Sequence, residues 1–123
     1  AQDNPVYYVQ YAHARICSII RKARLMKSKK SDRRAIIEPT ELNLLKELIK
    51  WPELILEVSQ NYQVNKLPYY ATELATKFHD FYTQCRVING QHVNERRLNI
   101  IKATQIVLQN VLAVMGVSAP DRM

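Results

Sequence analysis

Tyr8, Tyr11 and Arg15 fall at i, i+3 and i+7 of a segment with helical periodicity, so their side chains share one stripe. Two aromatic rings beside a guanidinium make a platform on which unpaired bases stack while the cation holds a phosphate. The same stripe also fits rim packing. Downstream lies a basic patch, Arg21, Lys27, Lys29, Lys30, Arg33 and Arg34. Residues 1–37 carry nine basic side chains against Asp3 and Asp32, which accounts for the whole formal charge of +7. The remaining 86 residues balance nine basic groups with nine acidic ones. An excess confined in this way points to a polyanionic partner, with nucleic acid the leading class.

Other constellations are weaker. His13 and Cys17 sit at i, i+4, and His79 precedes Cys85 by six residues. Zinc sites are built from closely spaced pairs such as CxxC or HxxxH, which this chain lacks, so packed thiols with hydrogen-bonded histidines are the better reading and no metal is expected. No serine has a His and acid frame, and no carboxylate pair stands out, so the chain offers no catalytic residues of its own. Met26-Lys27-Ser28-Lys29 resembles the Lys-Met-Ser-Lys signature with which class I aminoacyl-tRNA synthetases hold ATP phosphates. That chemistry needs a nucleotide-binding α/β fold around it, and neither a strand nor a glycine-rich turn is legible here.

The elements that must position these residues read as helices. Two glycines in 123 residues, with abundant Leu, Ile, Lys, Glu, Gln and Ala, argue against a sheet protein. Asn4-Pro5 starts a first helix reaching about Leu25, with Val9, Ala12, Ile16, Ile19, Ile20 and Ala23 inward. Residues 27–34 read as a mobile basic loop. Thr40 caps a second helix with Leu42, Leu45, Leu48 and Ile49 inward, and Trp51-Pro52 breaks it. Pro52 starts a third, with Leu54, Ile55, Val58 and Tyr62 inward, and Pro68 a fourth, carrying Tyr70 or Ala71, Leu74, Phe78, Phe81, Tyr82 and Cys85. Residues 86–94 form a loop. A last helix, 98–115, is apolar on nearly every side and is expected to be the most buried, ending at Gly116. The fold class predicted is all-α: one domain spanning 1–123, an antiparallel bundle of about five helices, monomeric.

Two cysteines are too few for a disulfide framework, and no signal-peptide core or transmembrane run is visible, so a cytoplasmic protein without membrane contact is expected.

Three stretches together resemble one family: Val6-Tyr7-Tyr8-Val9-Gln10-Tyr11-Ala12-His13-Ala14-Arg15, then Phe78-His79-Asp80-Phe81-Tyr82-Thr83-Gln84-Cys85-Arg86-Val87, then Arg97-Leu98 through Met115-Gly116 to Ala119-Pro120-Asp121-Arg122-Met123. They are similar to the carboxy-terminal anticodon-binding domain of arginyl-tRNA synthetases, the helical DALR bundle. A Pro-acid-Arg-Met ending after a glycine-capped helix is typical of arginyl enzymes, and the related cysteinyl and glycyl bundles lack it. The resemblance implies a fragment of an enzyme that joins arginine to its tRNA using ATP and magnesium, with the catalytic domain outside this chain and the tRNA anticodon loop as partner. It also implies that Tyr8, Tyr11, Arg15, Tyr82 and Met123 line one tRNA-binding surface. Arg86 departs from the hydrophobe or aromatic common at its place, although a guanidinium can stack or take a phosphate. Arg122 is expected to reach a phosphate or an acid of the bundle. Met123 is expected to pack under an extruded base, with the tail mattering more for binding than for stability.

Overall fold

The computed structural model describes residues 4–30 and 35–123. Arg33 and Arg34 of the basic patch lie outside the described residues, as do Asp3 and Asp32. Five helices carry the chain: α1 (Pro5–Ala23), α2 (Pro39–Leu48), α3 (Trp51–Asn61), α4 (Lys66–Gln84) and α5 (Glu95–Val114). α1 begins as its sequence dictates, with the Asn4 side chain accepting from the Val6 amide at 2.9 Å and Pro5 in the first turn, where no amide donor is lost. Pro52 has no amide to give the carbonyl of Leu48, so the chain turns at Ile49 and Lys50 and restarts as α3. α5 closes with a left-handed Gly116 at φ +75°, where the Val117 amide reaches Leu112 O at 2.9 Å and the Gly116 amide reaches Ala113 O at 3.0 Å.

α4 packs against α1, α2 and α5, and α5 packs against the same two partners of α4. Val9, Ala12, Ile16, Phe78, Phe81, Leu74, Ile101, Leu108 and Leu112 interlock at the centre. The inward face of α1 is the one its periodicity predicts. α5 departs from expectation. It buries six residues while α1 buries nine, and Ile106 and Val114 are 56% and 49% exposed, so it is a one-sided helix and not the most buried one. Its apolar outer residues face solvent because α1, α2 and α4 all lie on its other side.

Three local expectations also change. Thr40 lies inside α2, which starts at Pro39 after Glu38, and the buried face is Glu41, Leu44, Glu47 and Leu48, leaving Leu42 and Ile49 outside. Tyr62 points outward because it terminates α3 in a left-handed conformation at φ +55°. Finally, the two stretches read as loops meet in a small sheet. β1 (Lys27–Lys29) pairs parallel with β3 (His92–Asn94), which pairs antiparallel with β2 (Ile88–Asn89). Gly90, at φ +63°, occupies the first central position of the two-residue hairpin turn and supplies the positive φ that such a turn needs. The helical class stands, with this sheet as a clasp that fixes Lys27 to Lys29 beside the amino end of α5.

Candidate nucleic-acid interface

Tyr11 and Arg15 stand one helical turn apart on α1 and face Tyr82 on α4. The Arg15 guanidinium carbon lies 4.5 Å from the Tyr82 ring centroid and 5.9 Å from that of Tyr11, so one cation bridges two rings. Tyr11 and Tyr82 remain 39% and 38% exposed, which leaves ring surface on both for a ligand. His79, one turn before Tyr82, holds the rings from beneath: its centroid is 6.4 Å from Tyr11 in a stacked arrangement and 5.2 Å from Tyr8. Burial, and then the neighbouring Arg15 charge, hold the His79 imidazolium below its ordinary range, with Asp80 pulling the other way. Sequence reasoning missed His79 as a site residue. Its i, i+3 spacing to Tyr82 was the available signal.

Tyr8 is placed differently from Tyr11. It is half-buried, and its hydroxyl lies 3.0 Å from Thr76 Oγ1. Thr76 donates its own proton to the Thr72 carbonyl, so the tyrosine is the donor. Tyr8 therefore anchors α1 on α4 and backs the platform from behind.

The segment after Gly116 turns back along α1. Gln10 Nε2 donates to Ser118 O at 3.0 Å, and Arg21 Nη1 to Asp121 O at 3.0 Å. These bonds bring Arg122 and Met123 to a hollow of about 380 Å³ shared with Tyr11, Arg15 and Arg21. On the other side of Arg15 a second hollow, about 670 Å³, is lined by Lys22, His79, Tyr82 and Arg86. Tyr11, Arg15, Tyr82, Arg86, Arg122 and Met123, separated by up to 112 positions in sequence, thus lie along one continuous surface. Lys29 and Lys30 sit farther along, in a groove that also includes Arg86. Lys27 is exposed on β1 opposite His92.

A buried ion cluster sets the position of Arg86. Glu41 is fully buried and accepts from Arg96 Nε and Nη2 and from Arg97 Nε, each at 3.1 Å. Arg97 Nη1 also donates to the Arg86 carbonyl at 2.9 Å. The acid of α2 is thereby tied through α5 to the backbone that presents Arg86, and two guanidiniums satisfy a carboxylate that burial alone would make costly. Another cavity, about 610 Å³ between α2, α3 and α4, is lined by Glu47, Glu53 and Glu57 and by Lys50 and Lys66, and both lysines are paired with an acid of the same lining, which makes it a poor site for a polyanion.

No group of three or more His, Cys, Asp or Glu side chains suited to a metal ion occurs among the described residues, and Met26-Lys27-Ser28-Lys29 runs into an exposed edge strand of the small sheet. No helix among the described residues is long and apolar enough to cross a membrane.

Comparison with known proteins gives a consistent result. The chain is 43% identical over 127 residues to an arginine–tRNA ligase of Moorella thermoacetica, covering 98% of this chain and 23% of that protein. It is 42% identical over 129 residues to the arginine–tRNA ligase of Symbiobacterium thermophilum, covering 100% of this chain and 23% of that one. It thus spans about a quarter of the length of these relatives. The Thermus thermophilus arginyl-tRNA synthetase structure superposes with a TM-score of 0.77 at 29% identity, covering 100% of this chain and 22% of that one. The family profile described as the DALR anticodon binding domain matches residues 9–123, and the chain therefore belongs to the DALR anticodon binding domain family.

Proposed function

We propose that this chain is a single helical domain that binds the anticodon loop of an arginine-specific tRNA, as part of a longer arginine–tRNA ligase. The observation that carries the reading is the bridge of Arg15 between Tyr11 and Tyr82, with Arg122 and Met123 brought alongside. Exposed rings beside a guanidinium suit unstacked bases and their phosphates, and single-stranded loops are where proteins read RNA sequence. Arginine, ATP and magnesium belong, in this reading, to a catalytic domain elsewhere in the longer protein. Binding energy gained here aligns the acceptor end there. A monomer in the cytoplasm is part of this reading, and two buried cysteines without a disulfide suit a reducing compartment.

The test compares an arginine tRNA with the same tRNA carrying a scrambled anticodon loop, at one salt concentration. The wild type should bind the native loop more tightly than the scrambled one, and Tyr11→Ala should lose about 1–3 kcal/mol of binding to the native loop. Tyr8→Phe, which removes only the hydroxyl that reaches Thr76, should leave binding nearly intact and lower stability by about 1 kcal/mol. Equal affinity for both loops in the wild type would reduce the chain to a general RNA-binding module, and an unchanged Tyr11→Ala would return the aromatic stripe to packing.

A further inference from the structure

The cavity between α2, α3 and α4 has the opposite electrostatic character to the rest of the molecule. The chain carries a formal charge of +7, yet this lining sets Glu47, Glu53 and Glu57 against only Lys50 and Lys66. Lys50 Nζ lies 2.8 Å from Glu47 Oε2 and Lys66 is paired with Glu57, so each lysine neutralises one acid. Glu53, in the first turn of α3, has no basic partner among the described residues. The Asn65 side chain, at the start of α4, makes no capping hydrogen bond.

Apolar walls separate these polar groups. Leu54 supplies one from α3, and Tyr69 and Tyr70 supply the other from α4. Tyr70 is held in place: its ring stacks on Trp51 with centroids 5.9 Å apart, and its hydroxyl donates to the Glu47 carbonyl at 2.6 Å. Burial, and then the charge of Glu47, hold the Tyr70 proton above the ordinary tyrosine range, so the ring remains a neutral phenol. Tyr69 is 74% exposed and leaves its ring open to a ligand. None of these residues lines the hollows of Arg15, Tyr82, Arg86 or Met123.

We propose that this cavity binds a small organic monocation: an amine whose ammonium lies against Glu53 and Asn65 and whose aromatic body packs between Leu54 and the two tyrosine rings. The volume, about 610 Å³, is that of a small-molecule site, with apolar walls and a few polar groups to fix orientation. A cation is attracted both by the uncompensated carboxylate and by the faces of the rings. An anion meets an excess of acid, and a polycation finds only one acid without a partner. The site is independent of the RNA-binding reading, because it shares no lining residue with that surface.

The experiment uses the 123-residue chain, with folding checked by circular dichroism, and three probes that share one ring: phenethylammonium, neutral 2-phenylethanol and phenylacetate. Each is titrated at one ionic strength near neutral pH and followed by amide chemical shifts. Phenethylammonium should give saturable shifts at residues 50–57 and 65–70, the alcohol should bind more weakly, and phenylacetate should bind most weakly. Glu53→Gln should weaken the amine about two- to fivefold and leave the alcohol unchanged. Tyr69→Ala should weaken the amine by a similar factor. Both side chains are exposed, so neither variant should disturb the fold. Tyr11→Ala, on the other surface, should leave amine binding unchanged. Shifts that do not saturate, shifts centred on Arg15 and Tyr82, equal affinity for the amine and phenylacetate, or a Glu53→Gln variant that binds the amine as the wild type does would overturn the proposal.

Discussion

The His13 Nδ1 atom lies 2.8 Å from the carbonyl oxygen of Pro120. A carbonyl only accepts, so Nδ1 carries the proton, and a histidine 1% exposed within α1 is the donor that holds the chain after Gly116. Val117 and Ala119 pack on the core beside it, and Gln10 and Arg21 fasten the segment at either end. The residues before Arg122 are thus a structural element, whereas Arg122 and Met123 extend from it to the hollow beside Tyr11 and Arg15.

That arrangement separates two effects. His13→Ala removes a buried donor and its packing and should cost about 1–3 kcal/mol of stability, together with RNA affinity, because Arg122 and Met123 lose their anchor. Met123→Ala should lower RNA affinity while leaving stability within about 0.5 kcal/mol, since its side chain is 55% exposed. Urea unfolding and RNA titration of both variants check this, and a strongly destabilised Met123→Ala would mean that the residue is structural.

Glu41 joins α2 to α5 and to the backbone of Arg86. Glu41→Ala should destabilise by about 3 kcal/mol, because it leaves the Arg96 and Arg97 guanidiniums partly buried without their acceptor. Denaturant unfolding measures the loss. A variant as stable as the wild type would show that the two arginines find water or other acceptors without cost.

Leu108 and Leu112 are fully buried on the inner side of α5. Truncating either to alanine should cost about 2–5 kcal/mol, from lost transfer energy and the cavity left behind. Ile106→Ala, on the exposed side of the same helix, should cost less than about 1 kcal/mol. Comparable losses at Ile106 and Leu108 in thermal or chemical unfolding would contradict the one-sided burial of α5.

His79 predicts the direction of a pH effect. Its folded value lies below the ordinary 6.5 because burial and then Arg15 oppose the imidazolium. As pH falls through about 6.5, the unfolded chain takes up this proton before the folded one does. The unfolded state then binds more protons, so stability is full above that pH and declines down to the folded value. His79→Asn should flatten this part of the curve. Unfolding midpoints between pH 7 and 5 for both proteins measure it, and identical slopes would exclude His79 as a contributor.

The sequence alone determined the helical class, the inward face of α1 and the glycine cap at 116, and it named the residues proposed for the candidate surface apart from His79. Each of these is written in local spacing: an apolar period, a capping side chain, a residue that tolerates positive φ, a motif run. What only tertiary structure decided concerns residues distant along the chain. Tyr8 and Tyr11 look equivalent on a helical wheel, yet α4 lies over one and leaves the other open. The buried Glu41 is unreadable beforehand, because a carboxylate enters a core only when guanidiniums from another helix, Arg96 and Arg97, arrive to meet it. Strands of two and three residues carry no measurable alternation, and Lys27–Lys29 becomes one because a hairpin more than 60 residues later offers it an edge. The all-round apolarity of α5 misleads for the same reason. A helix buries only the side that its neighbours cover, and α1, α2 and α4 all lie on one side of it.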